Sequence, residues 1–211
     1  MSSTKSFAPE LFHRHAFVWF RAEGDLLPGD DVLRTWLAQG HPLIVRSPCL
    51  SPDGANVCVG LSLPPNPQKH RLAFELPRAL VREVAPPPLW PHATEVLQQF
   101  QSAAEAGGAE LRTFGSHAWQ HLTGLPYVTE TSDIDLLIFT NSRRSWEITR
   151  QHLEQIAWPT SPKIDLEIVL DGDASFSWRE FCTSPERLLF KGNSRVWLGN
   201  KRDVAGHLSG K

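Results

Sequence analysis

Four acidic residues on two predicted strands could hold a divalent metal ion. Asp133 and Asp135 lie two residues apart in a strand-forming run, and a second pair, Asp165 and Glu167, repeats that spacing. Alternate residues of a strand project from the same face, so each pair places its carboxylates side by side, with Cα atoms roughly 7 Å apart. Two such charges repel by roughly 2–3 kcal/mol at an effective dielectric of about 20. A divalent cation relieves this repulsion, and carboxylate oxygens favour Mg²⁺ or Mn²⁺.

An Asp-x-Asp pattern alone is also compatible with an exposed strand end or a capped turn. The second acidic pair favours the metal site, because three carboxylates on neighbouring strands can hold two cations about 3.5–4 Å apart for phosphoryl displacement. We therefore predict Asp133, Asp135 and Asp165 as metal ligands. Glu167 is a fourth candidate catalytic acid, and the sequence leaves open whether Asp165 or Glu167 completes the site.

Other polar residues are candidates for binding an anion. Gly115 and Ser116 lie between a predicted strand and a helix, where glycine permits close approach and free N–H groups suit a phosphate. The Gly-Ser pair is informative because of its place among the predicted elements, which follow the order strand, Gly-Ser, helix and then the two acidic strands. Arg46 and Arg71, at predicted strand ends in the N-terminal half, could also bind an anion, although solvated surface cations are the simpler interpretation.

Composition excludes several classes of protein. The 211 residues are 41% hydrophobic and carry a net charge of −2, so no global basic field is available to bind nucleic acid. No run approaches the ~20 apolar residues of a membrane span, and the N-terminal residues lack a signal-peptide core. The three cysteines show no C-x-x-C spacing. We expect a cytoplasmic protein that binds neither nucleic acid nor membrane.

Prolines divide the chain into two predicted domains of an α+β (mixed α/β) fold. Residues 86–91 contain four prolines and are predicted to form a stiff linker. An N-terminal α/β domain, 1–85, precedes it, and a catalytic domain, 92–205, follows, with a mixed sheet flanked by helices and a flexible tail at 206–211. In the catalytic domain, helices are predicted over 94–107, 117–122 and 143–157 and from residue 184 onward, and strands over 111–114, 133–140, 163–170, 175–178, 188–190 and 196–198.

This order of elements resembles the nucleotidyltransferase superfamily of DNA polymerase β type. Over almost the whole chain the sequence is more closely similar to the phosphoribosyl-dephospho-CoA transferases of malonate decarboxylase, the holo-acyl-carrier-protein synthases. One departure concerns the second acidic strand, where Asp-Gly-Glu is expected and Leu166 stands between the two acids. The resemblance rests on His41-Pro-Leu-Ile-Val-Arg46, Val59-Gly-Leu-Ser-Leu-Pro64, Arg71-Leu-Ala-Phe74, Pro86-Pro-Pro-Leu89, Phe114-Gly-Ser-His-Ala-Trp-Gln120, Leu122-Thr-Gly-Leu125, Ser132-Asp-Ile-Asp-Leu-Leu137, Trp178-Arg-Glu180 and Leu189-Phe-Lys191.

The resemblance implies a definite reaction and a role for each candidate residue. The donor is triphosphoribosyl-dephospho-CoA, the acceptor is a serine of the acyl-carrier subunit of malonate decarboxylase, and pyrophosphate leaves. Asp133 and Asp135 would hold Mg²⁺, Gly115 and Ser116 would contact the outer phosphates, and Asp165 or Glu167 would ligate a metal or accept the serine proton. The N-terminal domain would bind the donor or the carrier. Candidates for stabilising the leaving group are Arg179 and Lys191.

Two other functions use the same residues. A nucleotidyltransferase could take an ordinary nucleoside triphosphate as donor and act on a small molecule or tRNA. A non-catalytic binding module could keep the fold without the chemistry, although the intact acidic positions argue against it.

Overall fold

Strands with alternating buried residues organise the first unit of the chain, Met1–Pro87, as an antiparallel sheet. The computed structural model describes residues 12–22, 29–65, 70–90, 94–171 and 174–208. The sheet has the order β4-β3-β2-β1-β5, and helix α1 begins at an Asp30 cap and buries Leu33, Trp36 and Leu37. The elements are β1 Phe17–Phe20, α1 Asp31–Ala38, β2 Leu43–Leu50, β3 Asn56–Ser62, β4 Arg71–Pro77, a 3₁₀ turn Arg78–Leu80 and β5 Val81–Ala85.

The second unit, Pro88–Lys211, is built on a six-stranded mixed sheet of order β11-β10-β9-β8-β7-β6. Only β7 and β8 pair in parallel, and helix α4 provides the crossover between them, while the other neighbours are antiparallel. The elements are α2 Glu95–Ala106, β6 Glu110–Thr113, α3 Gly115–Thr123, β7 Ile134–Thr140, α4 Arg143–Leu153, β8 Ile164–Leu170, β9 Ala174–Ser177, α5 Trp178–Thr183, β10 Arg187–Gly192, β11 Val196–Asn200 and a 3₁₀ helix Lys201–His207. The predicted mixed α+β class is confirmed.

The two faces of this sheet have different roles. One face carries the main hydrophobic core, to which helices α2, α4 and α5 contribute Phe100, Trp146 and Phe181. On the same face lie the even-numbered apolar residues of the central strands: Ile134, Leu136 and Ile138 of β7, and Ile164, Leu166, Ile168 and Leu170 of β8. The period of two sends the odd-numbered residues of both strands to the opposite face. The four predicted catalytic acids are all odd-numbered, so they share that second face.

The C-terminal elements differ from the sequence prediction. Helix α5 precedes residue 184, where the helix was predicted to begin, because its Trp178 and Phe181 fill the core, while residues 187–192 pair as a strand. The tail predicted as flexible over 206–211 begins within the last helical element of the chain. The 3₁₀ helix continues to His207 and buries Val204, and Leu208 is buried as well. Residues 209–211 lie outside the described part of the chain.

The predicted linker over 86–91 contains the division between the two units. Pro88 and Leu89 associate with the second unit, since the Pro88 carbonyl accepts a hydrogen bond from Thr113 N at 2.9 Å and Leu89 forms a bridge with Arg112. Residue 91 lies outside the described residues. No helix in the described ranges is long and apolar enough to cross a membrane.

We expect Gly107→Ala to destabilise the second unit. Gly107 ends α2 where it packs against α4, and an added Cβ would lie 2.7 Å from the carbonyl oxygen of Ser145, a backbone atom that cannot easily move. Overpacking of this kind costs about 1–3 kcal/mol. Chemical denaturation measures the loss, with Gly206→Ala as the control because no atom lies within 4 Å of its added Cβ. Equal stability of the two variants would contradict the packing described.

Candidate active site

The parallel pairing of β7 and β8 brings the predicted acids together. Asp135 is in register with Asp165, and Leu137 is in register with Glu167, so both acids of β8 project on the same side as Asp135. Neighbouring strands are about 4.8 Å apart, which places the Asp135 and Asp165 side chains next to each other. Both are partly exposed, and the Asp133 side chain, directly before β7, is 43% exposed.

Gly115 lies directly against the Asp135 carboxylate. A Cβ built on Gly115 would overlap that carboxylate, and its distance to the Asp135 Cγ would be only 2.7 Å. The backbone of Gly115 is left-handed, with φ +62°, a conformation that glycine adopts without strain. Hydrogen bonds to the Asp135 carbonyl hold Gly115 close to Asp135. Phe114 N donates to this carbonyl at 3.1 Å, and the Thr113 hydroxyl donates to it at 2.9 Å. The predicted glycine and the first acidic strand therefore form one site.

Helix α3 begins at this site and presents its N-terminus there. Gly115 is its first residue, Phe114 at the N-cap makes no side-chain capping bond, and no acidic residue lies in the first turn. Ser116 is 9% exposed. Unpaired N–H groups and the helix dipole favour negative charge at such an end. This position suits either the Asp135 carboxylate or a phosphate bound beside it.

Lys163 is a site residue that the sequence analysis missed. Its Nζ lies 2.8 Å from Oδ2 of Asp133, and its carbonyl accepts a hydrogen bond from Ile134 N, also at 2.8 Å. The hydrogen bond and charge of Asp133 raise the pKa of Lys163; Asp165 adds to this rise, and Arg179 opposes it. A lysine before a strand resembles any solvated surface cation. Its position in the sequence could have indicated the role, because Lys163 directly precedes β8 as Asp133 directly precedes β7.

The two acids of β8, Asp165 and Glu167, have different surroundings. Glu167 is 4% exposed, its Oε1 lies 2.7 Å from Lys191 Nζ, and its Oε2 accepts a hydrogen bond from the Ser175 hydroxyl at 3.1 Å. A buried carboxylate requires such partners. Glu167 is therefore the counter-ion of Lys191, whereas the partly exposed Asp165 lies beside Asp135.

The remaining predicted cations lie in different places. Arg179 is exposed on α5 and lies close enough to Lys163 to oppose the rise of its pKa. Arg71 is exposed at the first position of β4 in the first unit. Arg46 was predicted at a strand end but lies inside β2, which continues to Leu50. Its Nε is buried and has no hydrogen-bond partner among the described residues.

The acids fit a metal ion that is completed by a substrate. Within the described ranges, no three acidic, histidine or cysteine side chains converge enough to hold a metal by themselves. Mg²⁺ is commonly held by one or two carboxylates together with phosphate oxygens and water. Asp133, Asp135 and Asp165 on one open face offer such a partial set.

We expect Gly115→Ala to cost more stability than Gly124→Ala. Both residues have positive φ, +62° and +72°, so an alanine at either pays about 1–2 kcal/mol of backbone strain. Only Gly115 adds the overlap with Asp135, since nothing lies within 4 Å of a Cβ at Gly124. Denaturation of both variants measures the difference. Adding Asp135→Ala should recover most of the extra loss in a double-mutant cycle, and additive effects would contradict the contact.

Known proteins resemble this chain over most of its length. Residues 13–87 match the phosphoribosyl-dephospho-CoA transferase MdcG N-terminal domain, and residues 79–202 match the MdcG C-terminal domain. A phosphoribosyl-dephospho-CoA transferase of Xanthomonas campestris pv. campestris (strain 8004) is 33% identical over 195 residues, covering 85% of this chain and 90% of the relative. One of Bradyrhizobium diazoefficiens is 32% identical over 200 residues, covering 88% of this chain and 85% of the relative.

No solved structure matches the chain at a significant level. The two domain matches together span most of the sequence, and the relatives align over most of their own length. The chain belongs to the phosphoribosyl-dephospho-CoA transferase (MdcG) family, and it is a transferase.

Proposed function

We propose that the protein transfers the phosphoribosyl-dephospho-CoA group from triphosphoribosyl-dephospho-CoA to a serine of the acyl-carrier subunit of malonate decarboxylase. The observation that carries this proposal is the close contact between the start of α3, at Gly115, and Asp135, whose register partner is Asp165. A helix N-terminus beside carboxylates on one open face suits a metal-bound polyphosphate. Membership in a transferase family argues against a non-catalytic module.

The proposed step displaces pyrophosphate from the donor. The serine oxygen forms a bond to the phosphorus next to the ribose, the bond from that phosphorus to pyrophosphate breaks, and a carboxylate takes the serine proton. Of the two acids left open by the sequence, Asp165 is the better candidate, because Glu167 is buried and occupied by Lys191 and Ser175. The product is a phosphodiester on the carrier.

The charge of the triphosphate determines the other roles. A bound Mg²⁺ or Mn²⁺, held by Asp133, Asp135 and Asp165, would supply neutralisation of the phosphate charge. Backbone N–H groups at Gly115 and Ser116 bind and orient the outer phosphates. Lys191 and Arg179 stabilise the leaving pyrophosphate; the Lys191 side chain is 32% exposed and keeps donors beyond the one given to Glu167. Arg46 and Arg71 of the first unit bind the donor or the carrier.

Transfer to the carrier can be measured directly by intact mass. Apo-carrier subunit, triphosphoribosyl-dephospho-CoA and Mg²⁺ should yield a carrier heavier by one phosphoribosyl-dephospho-CoA group. Chelation should abolish the product and added Mg²⁺ or Mn²⁺ should restore it, because the acids otherwise repel the phosphates. ATP and CTP serve as alternative donors. Modification by these nucleotides alone would favour an ordinary nucleotidyltransferase, and full transfer in chelator would overturn the metal role.

The two acids of β8 should respond differently to loss of charge. Asp135→Asn and Asp165→Asn should lower kcat by on the order of 10³-fold while the fold survives, because each removes charge that holds the cation. Glu167→Gln should instead lower the free energy of unfolding by about 1–3 kcal/mol, because Lys191 loses its buried counter-ion. Transfer rates and denaturation curves of the three variants test this division. A stable, inactive Glu167→Gln protein together with a fully active Asp165→Asn protein would reverse the assignment.

A further inference from the structure

We propose that Lys163 is an exchangeable counter-cation: it neutralises Asp133 when no divalent cation is bound, and it binds donor phosphate once a cation replaces it. This inference rests on the proposed function, since it assumes a metal at Asp133. It assigns a role to a residue outside the predicted metal-ligand and phosphate-binding set.

The backbone fixes Lys163 beside Asp133. Each residue directly precedes one strand of the parallel pair, whose register begins at Ile134–Ile164. Ile134 N donates to the Lys163 carbonyl at 2.8 Å, so the start of β7 is tied to Lys163 independently of the side chains. The ion pair between Lys163 Nζ and Asp133 Oδ2, also 2.8 Å, can therefore open without changing the sheet.

The charges around Lys163 are those that a metal ion would experience. Asp133 and Asp165 both attract its ammonium, and Arg179 repels it, as the causes of its raised pKa show. Two of these groups are predicted metal ligands. A divalent cation between the same carboxylates competes with Lys163 for them and repels its positive charge.

Exposure makes this ion pair replaceable. The side chains of Lys163 and Asp133 are 49% and 43% exposed, and exposed pairs of this kind stabilise a protein only weakly. The other lysine–carboxylate pair on this face, Lys191–Glu167, has a similar distance of 2.7 Å, but its Glu167 side chain is 6% exposed. Burial makes the second pair permanent, because separation would leave an unpaired charge in the sheet.

Because a metal ion displaces Lys163 from Asp133, this lysine has opposite effects on binding of the metal and on binding of the polyphosphate. Its ammonium opposes binding of a metal alone, because it must leave Asp133. Once released it carries three N–H donors on a flexible stem, which suit the oxygens of a metal-bound polyphosphate. Removing Lys163 should therefore strengthen binding of the metal alone and weaken binding of the polyphosphate.

The test measures Mn²⁺ and inorganic tripolyphosphate binding to the full chain by calorimetry. Without phosphate, Lys163→Met should bind Mn²⁺ about two- to fivefold more tightly, because an exposed ion pair competes only weakly with the metal. With Mn²⁺ saturating, the same variant should bind tripolyphosphate several-fold more weakly. Lys163→Arg should resemble wild type in Mn²⁺ binding, since it keeps the charge. Arg144→Ala, an exposed cation on the helix-covered side of the sheet, controls for net charge and should change neither affinity.

The outcomes separate this inference from the proposed function. If wild type binds Mn²⁺ and Asp135→Asn does not, but Lys163→Met binds Mn²⁺ as wild type does or more weakly, the inference is wrong and the metal site stands. If Lys163→Met weakens the binding of both Mn²⁺ and tripolyphosphate, Lys163 supports the structure of the site and does not compete with the metal. If wild type binds no Mn²⁺ with or without tripolyphosphate, both the metal site and the role of Lys163 are overturned.

Discussion

The in-register parallel pairing of β7 and β8 is the constraint on which the site depends. Because side chains alternate along a strand, a slip of one residue between the strands would move Asp165 and Glu167 into the hydrophobic core. The α4 crossover opposes such a slip by burying Trp146 and Leu153 against the sheet. Seven consecutive register pairs, from Ile134–Ile164 to Thr140–Leu170, hold the alignment. Apolar packing on one face thus determines where the charges lie on the other.

Charge compensation on the acid-bearing face of the sheet takes three forms. The buried Glu167 is neutralised permanently by Lys191, and the solvated Asp133 is neutralised by a lysine that can leave. Asp135 has instead the N-terminus of α3 beside it, where Gly115 permits close approach. This division leaves charge to be balanced by substrate and metal at one end of the face only.

The spacing of residues within one strand predicted more of the site than could be inferred about contacts between residues far apart in the chain. The acids followed from a two-residue period, and their placement on one face is what the strands show. The Lys191–Glu167 pair joins residues 24 apart across β9, which no local pattern records. Strand β5 was not predicted because its sequence, Val-Arg-Glu-Val-Ala, lacks an alternation of apolar and polar residues and the strand pairs with the distant β1. The helix predicted from residue 184 is replaced by the earlier α5, since burial of Trp178 outweighs a favourable capping sequence.

The two-faced sheet has a consequence for how the protein tolerates genetic variation. Along β7 and β8, even-numbered positions such as Leu136 and Ile168 are fully buried in the core, so polar replacements there reduce the amount of folded protein. The odd-numbered acids Asp135 and Asp165 are partly exposed, and under the proposed function their replacement spares folding but removes chemistry. Harmful variants in adjacent codons therefore belong to different classes. Those at even positions are open to rescue by a chaperone or a lower temperature, and those at Asp135 and Asp165 are not.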